Sequence, residues 1–273
     1  MDAPRIIWTI AGFDPSNGAG VTADLRTMAS LGCHGVAAIT ALTIQNTRGV
    51  RGVEAVQAGT LAETLHTLLE DLPPAAVKIG MLATAENATT VASFLQALPQ
   101  RCPIVLDPIL LASSGAELLT PEGVTILRER LLPLATIVTP NRAEAAALTG
   151  LPATDTESMA VALRRLGCQA AVVTGGDHMD SDATPADSAT DVLAYQLGPL
   201  ECVEELSAPR IASQATHGTG CAFSSALACE LAKGASIPQA VTRAKAYVRR
   251  AIQAATGLGH GHGPLGLEDA GRY

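Results

Sequence analysis

The chain is poor in aromatic residues: three Phe, three Tyr and one Trp in 273 positions, 3% of the sequence. A core built without them must be filled by Ala, Leu, Val and Ile, which suits helices packed on a buried sheet. Charge is also scarce, at 16%, and its balance is acidic: 18 Lys and Arg against 26 Asp and Glu, a net charge of -8. That leaves no basic face for nucleic acid or an anionic membrane. No apolar run approaches the ~18 residues that span a bilayer. Residues 1–10 lack a basic leader followed by an apolar stretch, so no signal peptide is expected. The six cysteines (Cys33, Cys102, Cys168, Cys202, Cys221, Cys229) include no close pair at metal-ligand or redox spacing. A reduced, cytoplasmic setting follows.

What the chain does have is length and apolar content, with 48% hydrophobic residues, enough for a large core. Arg5 to Ala11 is a continuous apolar run, the mark of a strand buried on both faces. A turn-rich loop, Gly12 to Gly20, leads to a helix over Val21 to Leu31. A strand over Val36 to Leu42 precedes a polar, turn-like stretch from Thr43 to Gly52 and a short extra strand over Val53 to Val56. Regular alternation then sets in. Helices are expected over Thr60 to Leu72, Thr84 to Leu98 with Thr84 as cap, Pro121 to Leu132, Arg142 to Leu148 and Thr156 to Leu166. Strands are expected over Ala76 to Ile79, Pro103 to Leu106, Ala135 to Val138 and Ala170 to Val173. Gly175 to Thr190 has the composition of an acidic loop. Strands over Asp191 to Gln196 and Val203 to Leu206, a helix to about Ala232, a last helix from Ile237 to about Ala255 and an irregular glycine-rich tail, Gly257 to Gly266, complete the chain. This is an α/β pattern: a mostly parallel sheet with helices on both faces. No linker divides it, so one domain over residues 1–273 is expected.

In open parallel sheets, ligands sit beyond the carboxyl ends of the strands. Those ends carry Gly12, Asp14, Gln45, Gly80, Met81, Asp107, Asn141 and Thr174. Facing them should be Thr216-His217-Gly218-Thr219-Gly220-Cys221, where small residues give way to good helix formers. A helix opened this way presents unpaired N–H groups and a partial positive charge to an anion. The same environment favours thiolate over thiol at Cys221. His217 reads as shaping that loop. The other residues admit two readings each. The Gly12 to Gly20 loop fits neither dinucleotide nor phosphate-loop spacing and is a tight turn or a ligand loop. Asp24 is a helix-start charge or a ligand contact. Gln45 can donate and accept, which suits an aminopyrimidine edge, or it lies in a solvated loop. Lys78 reaches a sheet edge or meets a carboxylate. Asp107 and Glu144 are oxygen ligands suited to Mg²⁺ near phosphates, with a helix-start charge the other reading of Glu144. His34, His66, His260 and His262 carry no metal reading.

Seven segments in one order give these pieces a resemblance. Among them are IAGFDPSNGAGVTADL (Ile10 to Leu25), ITALTIQNT (Ile39 to Thr47), VKIGML (Val77 to Leu82), VLDPILLASSG (Val105 to Gly115), TPNRAEAAALTG (Thr139 to Gly150) and THGTGCAFSSALACELAKG (Thr216 to Gly234). The seventh, GHGPL, closes the tail at Leu265. Together they resemble the hydroxymethylpyrimidine/phosphomethylpyrimidine kinases of thiamine biosynthesis, and the resemblance covers nearly the whole chain. It implies a ribokinase-like three-layer fold. It also implies ATP-dependent phosphorylation of 4-amino-5-hydroxymethyl-2-methylpyrimidine and then of its monophosphate. By the same resemblance, Gly12, Asp24, Gln45, Met81 and Ile109 would meet the pyrimidine. Asp107 and Glu144 would work with Mg²⁺, and Asn141 and Thr174 would lie near the nucleotide. Gly218, Thr219 and Gly220 would form the anion hole, with Cys221 as catalytic base. A cytoplasmic homodimer is expected. The family's lysine before its paired glycines is absent: Thr174 precedes Gly175-Gly176, Asp177 separates them from His178, and Arg142 is the candidate substitute. A pyridoxal or pyridoxine kinase and a non-catalytic pyrimidine-binding relative are the alternatives, with Gln45 and Met81 favouring the pyrimidine.

Overall fold

The computed structural model describes residues 3–112, 115–176 and 187–271. Nine strands are found among them: β1 (Ile6–Phe13), β2 (His34–Asn46), β3 (Gly49–Ala55), β4 (Ala76–Ile79), β5 (Ile104–Leu106), β6 (Ile137–Val138), β7 (Ala170–Val173), β8 (Ser188–Leu197) and β9 (Leu200–Pro209). They form a sheet ordered β3-β2-β1-β4-β5-β6-β7-β8-β9. The six strands from β2 to β7 in that order are mutually parallel; at one edge β3 pairs antiparallel with β2, and at the other β8 pairs antiparallel with β7 and β9 with β8.

The helices are α1 (Gly20–Ser30), α2 (Ala58–Asp71), α3 (Ala85–Gln96), α4 (Pro121–Ile126), α5 (Arg142–Thr149), α6 (Thr156–Arg165), α7 (Thr219–Ala232), α8 (Ile237–Gln253) and α9 (Leu267–Ala270). Side chains alternate across each strand, so β1 and β4 feed two cores. Trp8, Ile10, Val77 and Ile79 meet α2 to α6 on one face. Ile7 and Ala76 meet α1, α7, α8 and α9 on the other. Helix α7 is covered on all sides, with every residue from Cys221 to Leu231 buried. Its Ala, Ser and Cys side chains are small enough to admit the sheet and neighbouring helices around the whole circumference. The cap chemistry behaves as its residue types dictate. The side chains of Thr84 and Thr120 accept from Asn87 N and Gly123 N, each at 3.2 Å, satisfying helix donors that lack an internal partner.

Three segments differ from expectation. Thr43 to Gly52 is not a turn: β2 continues to Asn46 and pairs with β3 from Ala41↔Ala55 to Asn46↔Gly49. Its Thr, Gln and Asn residues are polar because this hairpin projects past the body of the sheet, where Ile44 is 67% exposed. The Pro121 to Leu132 helix is α-helical only to Ile126. It widens into a π turn over Leu127–Leu131 and tightens into a 3₁₀ turn over Leu132–Leu134, where Pro133 supplies no N–H. Helix α9 follows the irregular tail without a periodic signal of its own. It is held from outside, by Arg26 on Glu268 (2.6 Å), Tyr247 Oη on Leu267 O (3.0 Å) and Arg250 on Ala270 O (2.9 Å).

Beneath the start of α7 lies a polar island in the second core. Lys78 Nζ on β4 donates to both carboxylate oxygens of Asp24 on α1, at 2.9 and 3.1 Å, and neither side chain has any exposed surface. Thr9 of β1 donates to Asp24 Oδ2 at 2.5 Å and Ser225 of α7 to Oδ1 at 2.8 Å. Burial opposes charge on Lys78, but the adjacent carboxylates, Asp24 first and Asp107 with it, outweigh it and raise its pKa. One ion pair thereby joins four elements. Removing one partner strands a buried charge, which typically costs about 3–5 kcal/mol. Lys78→Met is therefore expected to lower unfolding free energy by about that amount in urea titration. The double variant Lys78→Met/Asp24→Asn should recover part of the loss. Equal destabilisation of the single and double variants would contradict the pairing.

Candidate functional site

The ends of the central strands are locked together. Gly80 N donates to Ile10 O (2.9 Å), Asp107 N to Ile79 O (2.8 Å), Thr139 N to Leu106 O (2.9 Å) and Thr174 N to Pro140 O (2.9 Å). Gly12, Met81, Asp107, Asn141 and Thr174 consequently lie along one crescent, and Asn141 and Thr174 form a bridge pair. Gln45 approaches it from the projecting hairpin.

Helix α7 opens onto this crescent. Gly218 is its cap, with φ of 81°, a left-handed conformation that favours glycine. A Cβ at 218 would lie 1.9 Å from Gly18 O, so the cap rests directly on the backbone of the β1–α1 loop. A Cβ at Gly220 would lie 3.8 Å from Asp107 Oδ2. The first-turn N–H groups, which have no acceptor within the helix, thus open beside a buried carboxylate at the end of β5. Gly218, Thr219, Gly220, Cys221 and Asp107 are brought together as the sequence pattern implies.

The protonation of Cys221 is a correction. Its thiol is buried, and burial pushes its pKa up to about 12; Asp24 and Asp107 add to the rise, while Lys78 and the Gly20 amide oppose it. Desolvation outweighs the helix terminus, and the ligand-free protein holds a thiol rather than a thiolate. Asp107 is likewise raised by burial, with Lys78 and the Ser224 hydroxyl, 3.0 Å from Oδ2, pulling the other way.

The apolar end of the crescent is a small cluster separate from both main cores: Ala41, Met81, Ala83 and Leu118, with Ile109 packed against them. Gly12 lies under Met81, where a Cβ would sit 2.9 Å from the sulfur. Gly12, Met81 and Ile109 therefore share one wall. Asp24 does not join it. Its carboxylate is sealed and saturated by Lys78, Thr9 and Ser225, so the expected direct pyrimidine contact is replaced by a supporting role below the site.

At the other end, Asn141 and Glu144 close a capping box: Glu144 N donates to Asn141 Oδ1 (2.9 Å) and Asn141 N to Glu144 Oε2 (3.0 Å). Glu144 thus serves the helix start and still stands at the strand-end crescent. Thr174 begins the glycine pair. Gly175 N donates to Asp191 Oδ1 (3.0 Å), whose Oδ2 accepts from Lys245 (2.7 Å), and Arg210 donates to Gly176 O (2.7 Å). Asp177, His178 and most of the acidic stretch lie outside the described residues.

Sequence reasoning underrated Asp14 and His217. Asp14 accepts from Ser16 N and Oγ (2.8 and 2.7 Å), Gly18 N (3.2 Å) and Ala19 N (2.8 Å), and lies 2.8 Å from His217 Nε2. Burial would raise its carboxyl, but the bonds from His217 and Ser16 hold it below its ordinary value. Gln45 Nε2 lies 3.1 Å from His217 Nε2, and Thr43 Oγ1 lies 3.1 Å from Gln45 Oε1. The only local signal was the position of Asp14 at a strand end.

A sequence model described as phosphomethylpyrimidine kinase matches residues 14–266. The hydroxymethylpyrimidine/phosphomethylpyrimidine kinase of Streptomyces coelicolor is 42% identical over 96% of this chain and 94% of its own. The thiamine biosynthesis bifunctional protein ThiED of Geobacter sulfurreducens is 42% identical over 95% of this chain, which spans about half (51%) of that longer protein. Among solved structures, phosphomethylpyrimidine kinase from Clostridium difficile superposes with a TM-score of 0.75 at 34% identity, covering 91% of this chain and 99% of that one. Pyridoxal kinase from Staphylococcus aureus in complex with AMP-PCP and pyridoxal gives 0.85 at 30% identity, covering 99% and 96%.

The state of Cys221 can be read directly. Alkylation needs thiolate, so iodoacetamide labelling of Cys221 in the ligand-free protein at pH 8 should run at least about a hundredfold slower than for a free cysteine. Site-resolved mass spectrometry checks this; labelling at the free-cysteine rate would contradict a buried thiol.

Proposed function

The chain belongs to the phosphomethylpyrimidine kinase family and has its ribokinase-like fold, and from that premise we propose how its site works. It is a kinase of thiamine biosynthesis. The reaction we assign is ATP-dependent phosphorylation of 4-amino-5-hydroxymethyl-2-methylpyrimidine, followed by phosphorylation of the monophosphate to the diphosphate. The observation that carries the assignment is the opening of α7, Gly218 to Cys221, set against Asp107 with the Gly12–Met81–Ile109 wall beside it. The 42% identity to pyrimidine kinases, against 30% to the pyridoxal kinase, favours the pyrimidine acceptor.

In this reading the ring rests on the apolar wall, with Gln45 at its polar edge. The hydroxymethyl group points to Cys221. The N–H groups of the α7 opening receive the charge that develops on the transferring phosphoryl, a fixed stabilisation that needs no reorganisation during reaction. Asn141 and Thr174 border the nucleotide. Asp107, just past β5, and Glu144, in the first turn of α5, have the donor chemistry of Mg²⁺ held largely through water. When bound, that ion would neutralise phosphate charge. Arg210 and Lys245, rather than a lysine at 174, hold the glycine pair that follows β7. The single sheet supports one catalytic unit over 1–273, and six free cysteines suit the cytoplasm. We also propose a homodimer, which light scattering would test.

The two transfers differ in their need for a base. The alcohol must lose a proton; the monophosphate, with a second pKa near ~6, is already largely ionised at neutral pH. We assign that proton to Cys221 in its thiolate form. Because the thiol pKa is raised to about 12, the active fraction grows as pH rises. The single-turnover rate with the alcohol should therefore climb steadily between pH 6 and 9, without a plateau near the usual thiol pKa, while the monophosphate rate should climb far less. Cys221→Ala is expected to lower the alcohol rate by about 10²–10⁴-fold and to flatten its climb, with a loss under about tenfold for the monophosphate. Equal losses for the two acceptors would make Cys221 a positioning residue.

A further inference from the structure

We propose that His217 is a positioning residue that sets which way round the Gln45 carboxamide faces the heterocycle, and so makes the site selective for an aminopyrimidine edge. This rests on the reading of Gln45 as the polar contact to the ring.

The orientation follows from where the hydrogens can go. Asp14 is buried, its carboxyl is held below its ordinary value, and it receives five hydrogen bonds, so it acts only as an acceptor. His217 Nε2, 2.8 Å from Asp14 Oδ2, must therefore carry a hydrogen and donate it there. A protonated Nε2 has no lone pair left. Gln45 Nε2, 3.1 Å away, then sets N–H against N–H, and turning the carboxamide through 180° to bring its oxygen there relieves this. Thr43 Oγ1 lies 3.0 Å from Phe13 O and 3.1 Å from Gln45 Oε1, and its one hydrogen serves only one of them. With the amide turned, Thr43 donates to Phe13 O and accepts from the NH₂ end, so both neighbours are served in that orientation.

The ring of His217 is itself fixed. A Cβ at Gly18 would lie 2.2 Å from His217 Cδ2, so the Cδ2 edge of the imidazole abuts that glycine. The His217 main chain donates to Gly263 O at 3.3 Å and pairs with Pro264 of the tail. The next residue is Gly218, the cap of α7. One histidine thus joins the ring-reading amide to the phosphate cradle and to the tail.

Orientation matters because an aminopyrimidine offers a ring-nitrogen acceptor beside an amino donor. A carboxamide matches that pair one way round. Reversed, it sets oxygen against lone pair and N–H against N–H. A ring without the amino group lacks the donor and gains little from the fixed orientation.

The measurement is the ratio of dissociation constants for 5-hydroxymethyl-2-methylpyrimidine, which lacks the amino group, and its 4-amino counterpart, by calorimetry without ATP. One neutral hydrogen bond sets this ratio at about tenfold in the native protein. In His217→Phe, which fills the same space without an N–H, it should fall to about two, with KM for the amino compound raised about tenfold and KM for ATP and kcat within about twofold. His217→Gln, which restores a donor toward Asp14, should recover most of the ratio. If melting shows that His217→Phe does not fold, His217→Leu is read in its place. An unchanged ratio, or parallel loss of both ligands and of kcat, overturns the role of His217. A native ratio in Gln45→Ala overturns instead the reading of Gln45 on which it stands.

Discussion

The site depends on an ion pair that never meets solvent. Lys78 and Asp24, both fully buried, bind β4 to α1, and Thr9 and Ser225 draw in β1 and α7. An ion pair of this kind contributes little net stability over a hydrophobic replacement, yet it is costly to break. Its use here is positional. Ser225 lies nearly two turns into α7, so fixing it to Asp24 fixes the opening of that helix against the strand ends. The charge of Lys78 is also the fixed cation beneath Cys221 and Asp107.

Above this island the site divides by chemistry. One end is apolar, with Met81, Gly12 and Ile109 forming a wall. The middle is a helix opening beside a carboxylate. The far end is backbone and caps: the Asn141–Glu144 box and the glycine pair after Thr174. His217 spans the first two, with its side chain on Asp14 and Gln45 and its neighbour Gly218 capping α7. In the function proposed above, ring recognition and phosphoryl positioning would be joined through these adjacent residues.

Much of the scaffold was legible because its signals are local. Ala76–Ile79 and Ala170–Val173 are continuous apolar strands, Thr84 and Thr120 are caps, and Gly150 ends α5 in a left-handed turn. The Gly218–Cys221 opening and Asp107 were legible as chemistry at a helix start and a strand end. The β2–β3 hairpin was not, since Thr43, Gln45 and Asn46 read as a loop until β3 supplies their partners. Helix α9 was not, because four residues hold no period and are shaped by Arg26, Tyr247 and Arg250.

The sequence by itself determined the alternation of strands and helices, the capping of the helices and the identity of the groups at the strand ends. Periodicity and capping act over a few residues, so they survive being read one residue after another. Only the tertiary structure decided what those groups are. It turned Asp24 from a helix-start charge or ligand contact into the buried partner of Lys78, 54 positions away, and raised the pKa of the Cys221 thiol by taking it out of water. It also placed His217 against Asp14, 203 positions away. Desolvation and hydrogen-bond direction arise from atoms that the chain brings together late, and no local pattern records them.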